Sequence, residues 1–80
     1  MGKMKRKNLS DELRPFYPLL GMTQEKVEEW LKINKPMING HLAVVRIIKP
    51  GDGVFMDSRS YRVNAKADQD GRIISLDDIG

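Results

Sequence analysis

Leu42-Ala43-Val44-Val45-Arg46-Ile47-Ile48, then Lys49-Pro50-Gly51-Asp52-Gly53-Val54-Phe55-Met56-Asp57-Ser58-Arg59-Ser60, then Tyr61-Arg62-Val63-Asn64-Ala65-Lys66-Ala67: this run decides the fold. Its first part is rich in β-branched apolar residues and stops at Pro50-Gly51, which reads as a buried strand closed by a turn. Its last part alternates strictly. Tyr61, Val63, Ala65 and Ala67 share one face and Arg62, Asn64 and Lys66 the other, so one side packs and the other is free for polar work. If Ile47 and Val63 lie in parallel strands, the chain between them must cross over without a helix. In a domain this small, so long an irregular connection is functional or disordered.

A sheet with one apolar face needs a cover, and the preceding chain supplies one. From Gln24 to about Asn34, Val27, Trp30 and Leu31 recur at helical spacing, while Glu25, Lys26, Glu28, Glu29 and Lys32 fill the other side. Thr23 is the expected N-cap, and Pro36 ends the helix at Asn34-Lys35. Trp30 sits on the apolar stripe and is expected in the core, with Met22 and Met37 filling gaps. Met37-Ile38-Asn39-Gly40 reads as a turn. On the far side of the decisive run, Asp68-Gln69-Asp70-Gly71 reads as another turn, leading into a last short strand over Arg72-Ile73-Ile74-Ser75-Leu76. The fold class expected is α+β, with one helix packed on a small mixed β-sheet and an extended exposed loop.

Composition bounds what such a chain can do. The 80 residues suffice for one hydrophobic core and no more. There is no cysteine, so no disulfide or thiolate metal site stiffens the fold, and His41 is the single histidine. A Ser-His-Asp or Cys-His hydrolase is therefore not expected, nor a metal or any other cofactor. Of the net charge of +3, most sits in Lys3, Lys5, Arg6 and Lys7. Residues 1–14 carry too few apolar groups to offset the entropy of ordering and read as a disordered basic tail, leaving 15–80 as the domain. No apolar run is long enough for a signal segment or a membrane span. A cytoplasmic setting is expected by default, and a secreted one if a leader has been removed.

Within the connection, Val54 to Arg59 has extended character and places Phe55 and Met56 side by side. Two readings stand. Either Val54 and Met56 begin the next strand and point inward, or the pair is exposed because a partner binds it.

From Tyr17 to Gly80, about four fifths of the chain, the sequence resembles the potato inhibitor I family, the group of the barley chymotrypsin inhibitor and eglin. The matching landmarks are Leu19-Leu20-Gly21 before Thr23, the helix ending in Lys35-Pro36, and the approach Gly51-Asp52-Gly53-Val54. The segment from Val54 to Val63, the acid Asp68 and the closing Ile79-Gly80 complete the match. The resemblance implies a serine protease inhibitor that binds like a substrate. Met56 would fill the protease's primary specificity pocket, and Met56-Asp57 would be the reactive bond. Gly53, Val54, Phe55, Met56, Asp57, Ser58 and Arg59 would form the protease-contacting loop, entering the cleft as an added strand. Arg62, Asn64 and Gly80 would support it from below, with Asp57 as the carboxylate that Arg62 meets and the Gly80 carboxylate as a further member.

The chain departs from the family pattern where Asn64 replaces a common second arginine and Phe55 a common threonine, so loop support is expected to be weaker. Gly53 adds flexibility, and the turn after Pro36 is longer than in the plant and leech members. An unbranched apolar residue at Met56 suits subtilisin-, chymotrypsin- and elastase-like pockets and offers a trypsin-like pocket no cation. The partner implied is thus a serine protease, and a monomer is expected. Nucleic acid and membrane are not expected partners. Two rivals remain: a non-inhibitory scaffold of the same fold, and a basic nucleic-acid-binding module using Lys3 to Lys7 with Arg46, Arg59, Arg62 and Arg72.

Overall fold

The computed structural model of the chain describes residues 9–53 and 57–80. Helix α2 covers Gln24–Asn34 and begins, as its spacing requires, after Thr23 in an extended conformation (φ −84°, ψ 169°). It closes at Lys35, whose backbone is left-handed (φ 43°) and whose N–H donates to the Leu31 carbonyl (2.9 Å). Pro36 follows and cannot extend the ladder. Val27 on this helix is fully buried, and Trp30 and Leu31 pack beside it against the core.

The sheet under the helix has three strands in the order β3-β4-β5: Val44–Ile48, Arg62–Ala67 and Ile73–Ile79. Strands β3 and β4 are parallel, with Val45 opposite Val63 and Ile47 opposite Ala65, so the connection between them must return the length of the sheet, and its described residues form no helix. Strand β5 returns antiparallel after the Asp68-Gly71 turn, in which the Asp68 carboxylate accepts from the N–H groups of Asp70 (2.9 Å) and Arg72 (3.0 Å). The sheet is therefore mixed and the class α+β.

Alternation in β4 holds: Val63, Ala65 and Ala67 are buried while Arg62 and Asn64 occupy the opposite face with Lys66. Strand β3 differs from the expectation of a buried strand. None of its residues is fully buried, and Val44 is 42% exposed. The cause is topological, since β4 takes the centre of the sheet and leaves β3 a neighbour on one side only. Strand β5 also runs further than expected, to Ile79, past the charged Asp77 and Asp78. As an edge strand it keeps its carboxylates in solvent, and two register irregularities against β4 absorb the extra length.

Two parts of the chain carry more structure than their composition indicates. Residues 1–8 of the expected basic tail lie outside the described residues. Leu9–Leu13 forms a short helix α1, followed by a 3-10 helix over Arg14–Leu19. Leu13 is 5% exposed and joins Phe16 and Leu19 in the core, so order begins before the boundary expected at residue 15. Phe16 meets Trp30 in a tilted ring contact with centroids 6.1 Å apart. This segment is tied to the sheet where Gly21 N–H donates to the Ile73 carbonyl (2.8 Å) and Ile73 N–H to the Met22 carbonyl (2.9 Å).

The second part is the stretch read as a turn. Met37–Ile38 (β1) and His41–Leu42 (β2) pair antiparallel around Asn39-Gly40. Both turn residues have positive φ (51° and 81°), the conformation that a two-residue hairpin demands and that Asn-Gly satisfies cheaply. Ile38 points into the core. Met37, expected as a core filler, is instead 58% exposed opposite Leu42, because the period of two sends successive side chains to opposite faces.

Candidate functional site

The connection between β3 and β4 leaves the sheet through a tight turn. Lys49 N–H donates to the Asp52 carboxylate (2.8 Å), Asp52 N–H returns to the Lys49 carbonyl (3.0 Å), and Gly51 supplies the left-handed conformation the turn needs (φ 88°). Asp52, Gly53, Asp57, Ser58, Arg59 and Ser60 are all exposed. Val54, Phe55 and Met56 lie outside the described residues, so neither reading of the Phe55-Met56 pair is decided by its placement. Gly53 has an ordinary φ and open space where a Cβ would stand, so nothing among the described residues obliges a glycine there.

Arg62, the first residue of β4, projects from the polar face of the sheet beneath this connection. Its side chain is only 12% exposed, against 46% for Asp57. One guanidinium joins three groups. Nη1 donates to the Asp57 carboxylate (3.3 Å), Nη2 to the Asp57 carbonyl (3.1 Å), and Nε to the backbone oxygen of Gly80 (2.9 Å). Holding both the side chain and the main chain of one residue fixes its orientation as well as its position. Arg59 adds a looser contact to the same carboxylate at 3.8 Å. The Arg62 hydrogen bond, with the positive charges of Arg62 and Arg59, holds the Asp57 carboxyl below the ordinary aspartate value of 3.8, against a smaller opposing effect of burial.

Asn64 sits two residues on, on the same face. Its amide donates to the Asp78 carboxylate (2.8 Å) and to the Gly80 backbone oxygen (3.1 Å), and its Oδ1 is buried without a partner among the described residues. Asn64 therefore braces β5 and the chain end. It makes no hydrogen bond to the described part of the loop. An open cleft of about 470 Å3 remains between loop and sheet, bounded by Arg46, Ile48, Gly53, Asp57, Arg62 and Asn64 among others. Of the supporting residues expected, Arg62 and Gly80 come together with Asp57, and among the described residues Asn64 is linked to them through their shared partner Gly80.

The exit of the loop meets two residues that sequence reasoning did not connect with it. Asn39 Nδ2 donates to the Ser60 carbonyl (2.6 Å), and the His41 ring lies against Tyr61 with centroids 4.8 Å apart. The Asn39-Gly40 pair was the available signal, since Asn-Gly between apolar residues marks a hairpin. What the hairpin touches depends on the tertiary fold. Of the arginines of the nucleic-acid reading, Arg59 and Arg62 turn to Asp57, Arg46 borders the same cleft as Arg62, and Arg72 donates to the Gly21 carbonyl (2.9 Å). Among the described residues no helix is long and apolar enough to cross a membrane, and no group of His, Cys, Asp or Glu is placed to hold a metal ion.

No family model and no curated protein sequence matches the chain. Solved structures do. A crystal structure of bitter gourd trypsin inhibitor superposes with a TM-score of 0.52 at 25% sequence identity, over 79% of this chain and 85% of the other. The elastase inhibitor AFUEI superposes with a TM-score of 0.52 at 23% identity, over 85% of this chain and 90% of the other. Both are inhibitors rather than enzymes, and the helix-on-sheet architecture described here is a fold that protease inhibitors use.

Proposed function

We propose that this protein inhibits serine proteases by presenting the connection between β3 and β4 as a substrate-like strand. The observation that carries the reading is the Arg62 guanidinium, which ties an exposed loop to the sheet through both the carbonyl and the carboxylate of Asp57 while gripping Gly80. A loop already held in shape loses little entropy on binding, so more of its contact energy appears as affinity. A mobile loop of the same sequence would be a substrate. The likeness to bitter gourd trypsin inhibitor supports protease inhibition in general.

The finer assignment follows the resemblance to the potato inhibitor I family. Met56-Asp57 is the bond presented to the protease, Gly53 to Arg59 make the contact, and Met56 directs the inhibitor to subtilisin-, chymotrypsin- or elastase-like enzymes. Asn64 acts on the loop through Gly80. A second reading, a scaffold of this fold without inhibitory activity, is favoured by the Asn64 amide, which braces Asp78 and Gly80 and makes no hydrogen bond to the described part of the loop.

Titration of subtilisin and chymotrypsin with the purified protein separates the two. Stoichiometric loss of activity, with the recovered chain intact or cut only between Met56 and Asp57 by mass spectrometry, is the expected result. Uninhibited protease and rapid digestion within residues 53–59 would leave the scaffold reading.

A further inference from the structure

We propose that the β1-β2 hairpin is a second buttress of the loop, with Asn39 and His41 as positioning residues for its exit. Four observations carry this. The Asn39 amide donates to the Ser60 carbonyl at 2.6 Å across 21 positions of sequence, so the contact joins two distant parts of the chain. The His41 ring makes a tilted contact with Tyr61, the next residue (centroids 4.8 Å apart, planes at 34°). Tyr61 is itself fixed, because its carbonyl accepts from Val44 N–H (3.1 Å) at the start of β3. The hairpin is fixed too: Ile38 is buried in the core, and the Ala43 N–H donates to the Pro36 carbonyl (2.8 Å) across its base.

The chain leaving the loop is thus held at Asp57 by Arg62 from beneath, at Ser60 by Asn39, and at Tyr61 by His41. Only Ser58 and Arg59 stand between the first two anchors. Two fixed points so close leave that backbone little room, and the loss of either frees more than one residue.

Taken together with the inhibitor reading, on which this part rests, the hairpin has a specific task. When a protease serine attacks the Met56 carbonyl carbon, the bond to the Asp57 nitrogen breaks, and that nitrogen takes a proton and becomes a free amine. Reversal requires the amine to stay beside the acyl carbon. An exit segment held at Ser60 and Tyr61 as well as at Asp57 keeps it there, so the hairpin slows turnover of the inhibitor.

The test uses the full chain with Asn39→Gly, Asn39→Asp, His41→Ala and His41→Phe. Glycine keeps the left-handed backbone at position 39 and removes only the donor, so the hairpin itself survives. Aspartate also tolerates that backbone but puts an acceptor against the Ser60 carbonyl. Amide hydrogen exchange without protease is the first readout. Faster exchange confined to residues 57–61 in Asn39→Gly, Asn39→Asp and His41→Ala, with His41→Phe resembling the parent, is expected. Unchanged exchange there, or acceleration spread through β4 and β5, overturns the buttress.

The second readout is inhibition of subtilisin and the rate of cleavage at Met56-Asp57. The inhibition constant should rise about 3- to 10-fold in Asn39→Gly, the effect of one hydrogen bond, with cleavage faster in proportion. If the parent inhibits and Asn39→Gly inhibits equally well, the hairpin has no inhibitory role. A parent that inhibits nothing removes the inhibitor reading, while hydrogen exchange still decides the buttress.

Discussion

Arg62 works because it is the least exposed member of its ion pair. A guanidinium on an open surface would hold an aspartate loosely, its attraction screened by water and salt. Here the long side chain lies along the sheet, and only its fork meets Asp57 and Gly80. Arg62→Ala should release the loop at Asp57 and, on the proposed function, raise the inhibition constant for subtilisin by about 10-fold or more and speed cleavage of the chain. Arg62→Lys should recover little of this, since an ammonium cannot supply three donors in one plane. The pH dependence has a definite sign. Asp57 titrates below its ordinary value in the folded protein, so the stabilisation from its contacts is complete above the unfolded aspartate range and is lost as pH falls through the lower folded value. Thermal melts between about pH 5 and pH 2 should show the parent losing more stability than Asp57→Asn, whose side chain cannot titrate. Equal losses would show that the Arg62 contact does not persist in solution.

Among the elements, the loop and the hairpin carry the interest and the helix is ordinary. The helix was legible because its apolar spacing, Thr23 and Pro36 agree with one another. The hairpin was legible only as a turn: two-residue strands are too short for alternation to register, and Asn39-Gly40 was the one cue. Gly53 is a different case. Composition marks it as a point of flexibility, yet its backbone angle is open to any residue, and an added methyl meets nothing among the described residues. Gly53→Ala should therefore raise stability by about 0.4–1 kcal/mol by restricting the unfolded chain, visible as a small upward shift in Tm. A destabilised variant would mean that the loop visits conformations only glycine allows.

For the whole molecule, the question is how far the core reaches toward the amino end. Leu13 is packed with Phe16, Leu19 and Ile38, whereas Met37, a residue of similar size, faces solvent. Leu13→Ala should cost about 2–5 kcal/mol in urea unfolding, and Met37→Ala no more than about 0.5 kcal/mol. Comparable small effects at both sites would restore the view that order begins after residue 14.

The amino-acid sequence by itself determined the helix and its ends and the inward and outward faces of β4, which follow from local periodicity and from proline. The pairing of Arg62 with Asp57 was expected only through the resemblance to the potato inhibitor I family, and the crossover only on the condition that the two strands be parallel. Only the tertiary structure decided that β3 runs parallel to β4 at the sheet edge, that Leu13 is buried, that Asn64 turns to Asp78 and Gly80, and that Asn39 and His41 close on Ser60 and Tyr61. Each of these depends on which distant segments become neighbours. An apolar run does not say how many strands flank it, and an asparagine does not say which of several oxygens within its reach will arrive.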